Sequence, residues 1–105
     1  MSARRPRLAL TCGEPAGIGP DLCIALAARV ATDDPGCDIT CLADAGLLAE
    51  RARQLGQPLV PSERFRIEHR PLAAAVTAGR LDVRDARWVL GLLDRAMDGC
   101  AGGEF

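Results

Sequence analysis

The 105-residue chain contains no lysine, no asparagine and no tyrosine. Without lysine it can supply no Schiff-base amine, no phosphate-loop lysine and no lysine general base. All thirteen basic residues are arginine, and alanine occurs eighteen times. The three missing residue types are encoded by AT-rich codons, so the bias is that of a GC-rich genome. Aromatic residues make up 3% of the chain and there is a single histidine, His69. No apolar run approaches the ~20 residues of a membrane span. Leu8–Leu10, which follows Arg4, Arg5 and Arg7, is too short for the apolar core of a secretion signal. An excess of positive charge is also missing: thirteen basic against fourteen acidic residues leave a formal charge of -1. That balance argues against a dedicated nucleic-acid or anionic-membrane binder. Five cysteines, an odd number with no signal before them, read as free thiols of a cytoplasmic protein.

What is present is globular: 49% of residues are apolar and 26% charged. Residues 7–12 form a short apolar run suited to a buried strand. After a glycine-rich loop, Pro20 stands where a helix begins, and Leu22, Cys23, Leu26, Ala27 and Val30 recur at helical spacing to about Ala31. Asp33–Gly36 is a turn, and Cys37–Ala43 reads as a second strand. Asp44 suits the N-cap of a helix ending at Gly56. Phe65 and Ile67 alternate with charged neighbours, as in a strand with one wet face near a sheet edge. Residues 73–79 fit helix or loop equally. From Asp82 a helical stripe of Val83, Ala86, Val89, Leu90, Leu93, Met97 and Cys100 runs to a stop at Gly99, Gly102 and Gly103. The alternation of strands and helices predicts an α/β fold with a mainly parallel sheet. The next strand would begin just where Glu104 and Phe105 end the chain.

The segment Thr11–Pro20, T-C-G-E-P-A-G-I-G-P, joins the first strand to the first helix, where open α/β sheets place ligands. Gly17 and Gly19 would let backbone approach a ligand, and a helix N-terminus favours anions. The spacing does not fit G-x-G-x-x-G, whose third glycine would fall at Leu22, nor a phosphate loop. A tight turn with no ligand fits equally well. Glu14 either hydrogen-bonds a substrate amine or ribose hydroxyl, or caps loop amides. Cys37 and Cys41 lie roughly 13 Å apart on a strand, too far to share a metal. His69, between Glu68 and Arg70, reads as a solvated strand end, and Arg80, Arg84 and Arg87 with Asp82 and Asp85 as a solvated face of ion pairs. Trp88 reads as core or interface. No catalytic residue and no metal ligand is assigned, since no base, nucleophile or metal set can be completed.

The segment G-E-P-A-G-I-G-P-D-L (residues 13–22) resembles the opening of the 4-hydroxythreonine-4-phosphate dehydrogenase family of vitamin B6 biosynthesis. C-L-A-D-A-G-L-L-A-E-R-A (41–52), P-L-A-A-A-V-T-A-G-R-L (71–81) and residues 88–105 are similar, in order, to later segments of that family. Cys12 and Trp88 are mild departures from its pattern. On this resemblance residues 1–105 are an N-terminal third of a family member, part of one dehydrogenase domain.

The resemblance implies an isocitrate/isopropylmalate-dehydrogenase-like fold and a homodimer with its active site between subunits. It further implies NAD- or NADP-dependent oxidation of a small phosphorylated amino acid, 4-phosphohydroxy-L-threonine, to a 3-oxo acid that then loses carbon dioxide. A divalent metal (zinc, magnesium or cobalt) held by three histidines would assist. Those histidines and most cofactor contacts would lie in later segments, so the chain alone is expected to be inactive. What carries over is the loop, with Glu14, Gly17 and Gly19 as cleft-lining, cofactor-side residues. The glutamate favours the vitamin B6 enzyme over paralogues acting on other phosphorylated hydroxy acids or dihydrodiols. The alternative is a stand-alone α/β module binding phosphate or nucleotide. In either case, an unfinished sheet would leave an open edge and an uncovered apolar helix stripe.

Overall fold

The computed structural model describes residues 4–105. Three strands, β1 (Arg7–Thr11), β2 (Asp38–Ala43) and β3 (Phe65–His69), form a parallel sheet in the order β1-β2-β3. Leu10 lies beside Cys41, and Cys41 beside Ile67. Helix α1 (Gly19–Thr32) connects β1 to β2, and α2 (Ala45–Leu55) connects β2 to β3. Two parallel crossovers in the same direction put both helices on one face of the sheet, given the right-handed rule. A one-turn helix at Val83–Asp85 leads into α3 (Ala86–Ala101), whose Arg95 reaches Glu68 on the opposite face.

The core lies between the sheet and α1/α2. Ile39, Cys41 and Phe65 point into it from the strands, with Cys23, Ile24, Ala27, Leu48 and Ala52 from the helices. Helix α1 buries Pro20, Cys23, Ile24, Ala27 and Val30. Leu22, expected on the buried stripe, is instead exposed. Because Pro20 is itself buried at the helix start, it turns Cys23 and Ile24 inward and Leu22 out. Helix α2 is bounded as its sequence predicts. Asp44 Oδ1 accepts from Leu47 N–H at 3.0 Å, and Gly56 takes the left-handed φ of 66° that closes the C-terminus.

The stretch from Arg70 to Asp82 contains no helix or strand, which settles residues 73–79 as loop. Two expectations for α3 need correction. Gly99 does not stop the helix; it lies within it and is buried, because the Phe105 ring folds back onto it and leaves no room for a Cβ. Asp85 is not on a solvated face: it is 6% exposed, and none of the ion pairs among the described residues includes it. Among the described residues, the ion pair found in this stretch joins Arg84 to Asp82, two residues apart rather than at the three- or four-residue spacing expected of a helix face. The α3 stripe is uncovered, as expected: Val83, Leu90, Leu93 and Met97 are exposed, while Leu92, Trp88 and Ala96 face the sheet. No helix among the described residues is long and apolar enough to cross a membrane.

Candidate functional site

The loop between β1 and α1 lies beyond the carboxyl end of its strand. Gly13, at φ 70°, turns the chain out of the strand through a conformation only glycine adopts freely. Gly17 N–H then donates to the Glu14 carbonyl at 3.0 Å, closing a tight turn over Pro15 and Ala16. Gly19 is where backbone approaches closest. A Cβ there would overlap the Cys12 carbonyl, so α1 can start this close to β1 only with glycine at this position. At Gly17 the same Cβ would make only an ordinary contact, 3.4 Å from the Glu14 carbonyl.

The residue that fixes the loop was not among those singled out from sequence. Arg51, on α2, is 5% exposed. Its Nη1 donates to the Gly17 carbonyl at 2.9 Å and to Asp21 Oδ1 at 2.6 Å, and its Nη2 to the Pro15 carbonyl at 2.8 Å. A planar guanidinium spreads its donors over a fixed fork and so reaches acceptors on separate segments that a compact ammonium would not span. From the other side Gly79 N–H donates to the Ala16 carbonyl at 2.8 Å, strapping the 70–82 segment across the loop. Asp44 joins that segment to α2, its Oδ2 accepting from Leu72 N–H at 2.8 Å. A cavity of about 430 Å³ lies between them, lined by Asp44, Leu47, Glu50 and residues 72–76.

Of the predicted site residues, Glu14, Gly17 and Gly19 stay partly accessible around this turn. Glu14 Oε1 accepts from Ala16 N–H at 3.3 Å, the loop-capping alternative for that side chain. The chemistry differs from a phosphate cradle. Pro20 brings no N–H, Gly17 N–H is spent on Glu14, and the guanidinium beside the loop is neutralised by Asp21. The remaining charge near the loop is acidic. Burial pushes the Asp85 carboxyl up from its ordinary value, and the charges of Asp82 and Glu14 push the same way. Hydroxyl or amine groups suit such surroundings better than a bare phosphate.

His69 is exposed and stands at the same end of the sheet, its Nδ1 accepting from Ala45 N–H at 3.0 Å. Cys12, Cys23 and Cys41 are buried together in the core. Burial pushes the Cys12 thiol up to about 12, and Cys41, hydrogen-bonded to Cys23, is pushed up as well. Cys12 and Cys41, pushed up in this way, are packing groups rather than nucleophiles. Among the described residues no group of three or more His, Cys, Asp or Glu side chains could hold a metal ion.

No family model matches the chain. Similarity to individual proteins is extensive. A 4-hydroxythreonine-4-phosphate dehydrogenase of Azoarcus sp. is 46% identical over 113 aligned residues, covering 98% of this chain and 33% of the relative. The enzymes of the same name from Chromobacterium violaceum and Vibrio cholerae are 45% and 43% identical, covering 97% and 100% of this chain. A solved Salmonella typhimurium structure, provisionally described as this dehydrogenase, superposes with a TM-score of 0.76 at 22% identity. It covers 93% of this chain and 35% of that one, and establishes the likeness of fold. The chain spans about a third of the length of the curated relatives it matches, and over that third it is similar to proteins named 4-hydroxythreonine-4-phosphate dehydrogenase.

Proposed function

We propose that the chain forms one part of a nicotinamide-dependent dehydrogenase that oxidises 4-phosphohydroxy-L-threonine to a 3-oxo acid, which then loses carbon dioxide. The observation that carries this reading is 43–46% identity, across nearly the whole chain, to curated proteins bearing that enzyme's name. In this reading residues 1–105 are the N-terminal part of a dehydrogenase domain in a cytoplasmic homodimer. The turn at Gly13–Pro20 lines the cleft, with Glu14, Gly17 and Gly19 at its accessible edge. Glu14, whose charge is felt at Asp85, supplies acceptors for hydroxyl or amine groups of cofactor or substrate, while Gly19 and Arg51 hold the turn in place.

A divalent metal does not fit the residues present. The described part of the chain offers no set of three donors, and the Nδ1 of its single histidine is occupied by Ala45 N–H. The residues likewise offer no lysine for a substrate phosphate. The chain by itself is therefore expected to show no NAD- or NADP-linked turnover. The test is a chimera in which residues 1–105 replace the aligned third of the Azoarcus relative. NAD(P)H formation from 4-phosphohydroxy-L-threonine by the chimera, with none from the isolated chain, is the expected result. A chimera that folds, by circular dichroism and a cooperative thermal transition, yet stays inactive would overturn the proposal.

A further inference from the structure

The two edges of the sheet are not equivalent. Asp38 N–H donates to the Pro6 carbonyl at 2.9 Å, and in a parallel ladder that phase turns the backbone groups of Leu8 and Leu10 toward β2. The N–H and C=O groups of Arg7, Ala9 and Thr11 therefore face outward, and among the described residues no backbone group pairs with them. On β3 the outward groups begin at Phe65, whose N–H and C=O are both taken by Ser62. The chain thus blunts one edge and leaves the other open. Within β1 neither proline, lysine nor a bulge protects that edge, and Leu8 beside it is 49% exposed.

The crossovers specify what fits there. Helices α1 and α2 lie on one face while the chain advances from β1 to β2 to β3. Helix α3 lies on the other face and packs over β2 and β1. With right-handed connections, a helix on that face belongs to a step in the reverse direction, back toward β1. The side of β1 next to β2 is filled, so the place left is its outer edge. The turn after α3 is held at the start of β1, where Arg7 Nη2 donates to the Gly103 carbonyl, and a strand beginning there runs parallel to β1. The match takes in 33% of the Azoarcus relative and leaves about two-thirds of it without a counterpart among these residues. We propose that the outer edge of β1 is a docking site for a parallel β-strand of a second polypeptide, one that carries the remaining part of the dehydrogenase. Such a strand bonds through its backbone to Arg7, Ala9 and Thr11 and bears apolar side chains on both faces, one set over Leu8 and Leu10. Docking also completes the site, a step that rests on the dehydrogenase reading. With β2 on one side of β1 and the new strand on the other, served by helices on opposite faces, the carboxyl end of β1 becomes a switch point, where open α/β sheets hold ligands. The Gly13–Pro20 turn is then one wall of the cleft, and the loop that follows the docked strand is the other.

The probe is a synthetic peptide of about 10 residues, the segment of the Azoarcus relative that directly follows the part aligned with this chain. It is added to the 105-residue protein at up to about 1 mM. Amide exchange at Ala9 and Thr11, read by NMR, should slow about tenfold or more, while that at Ile67 and His69 should not change. Two peptides N-methylated on alternate residues separate main-chain pairing from side-chain adhesion. The one methylated on the edge facing β1 should lose binding and the other keep it. Ala9→Pro removes an outward N–H and no ladder bond, and should weaken the unmodified peptide about tenfold or more in a variant whose thermal transition matches wild type. No binding at about 1 mM, protection on β3 instead of β1, or equal binding of both methylated peptides overturns the proposal. The dehydrogenase reading fails separately. A bound peptide with an inactive chimera keeps the edge and removes that reading, and an active chimera with no bound peptide does the reverse.

Discussion

The two faces of the sheet are built on opposite plans. Toward α1 and α2 the strands present Ile39, Cys41, Phe65 and Ile67, and nearly every apolar side chain there is covered. Toward α3 they present Arg7, Thr40, Arg66 and Glu68, which with Asp38, Glu104 and Phe105 line an open groove of about 330 Å³. Helix α3 is held over this face by an apolar patch in which Leu92, Trp88 and Ala96 meet the side that carries Ala9 and the fully buried Leu42, by the Trp88 Nε1–H bond to the Arg70 carbonyl, and by Arg95. That guanidinium lies between Glu68 and Glu104 and over the Phe105 ring. One face is thus closed by hydrophobic burial throughout, the other by a smaller apolar patch and a polar clasp that leave the helix's own apolar stripe outward.

Substitutions on each side can break that division. Phe65 is fully buried under α1 and α2, and Phe65→Ala should cost about 3–5 kcal/mol of unfolding free energy by urea titration, a large share of the stability of a domain this size. Asp85, at the start of α3, should move stability the other way. The residue is 6% exposed, takes part in no ion pair among the described residues, and its folded-state pKa is raised, so the charged form is disfavoured by folding. The resulting penalty is absent below the unfolded value of 3.8 and grows as pH rises from there to the folded pKa. Asp85→Asn is then expected to stabilise by about 1 kcal/mol at neutral pH, with the gain vanishing below that value. Thermal melts at neutral and acid pH check both arms, and a pH-independent effect would contradict this assignment. The smallest effect belongs to the outward stripe. At concentrations where the chain is monomeric, Met97→Gln should change stability by less than about 0.5 kcal/mol, because that side chain is 68% exposed. A larger loss would mean that the stripe is covered within one molecule.

The parallel sheet, the bounds of α2 and the position of the glycine turn were all legible in the sequence, because each rests on a local signal. Asp44 and Gly56 cap whatever lies between them, and Pro20 starts a helix wherever the chain goes next. What was not legible depends on partners distant in sequence. Arg51 sits in an ordinary-looking R-A-R stretch, and nothing local distinguishes it from the exposed Arg53 two residues later. Only the packing of α2 beside the loop turns one inward onto three oxygen acceptors. Asp85 was misread for the same reason: it stands among arginines in sequence, at one and two residues' distance, but its burial is set by tertiary packing that no local pattern reports. The apolar stripe on α3 was visible as periodicity, but periodicity does not say which of two apolar faces meets the sheet.

The anchoring of the loop by Arg51 also bears on motion. Glycine-rich turns are readily imagined as hinges, yet this one is tied by the same guanidinium to α2 and to Asp21 of α1. For the turn to swing away, the charge on Arg51 would have to leave two carbonyls and a carboxylate at once with little water to replace them. Loop and helix pair should therefore open as a single cooperative unit in amide hydrogen exchange, with loop amides protected to the same free energy as those of α2. Whatever approaches this end of the sheet meets a surface that is already set, and any rearrangement on binding must come from what approaches it.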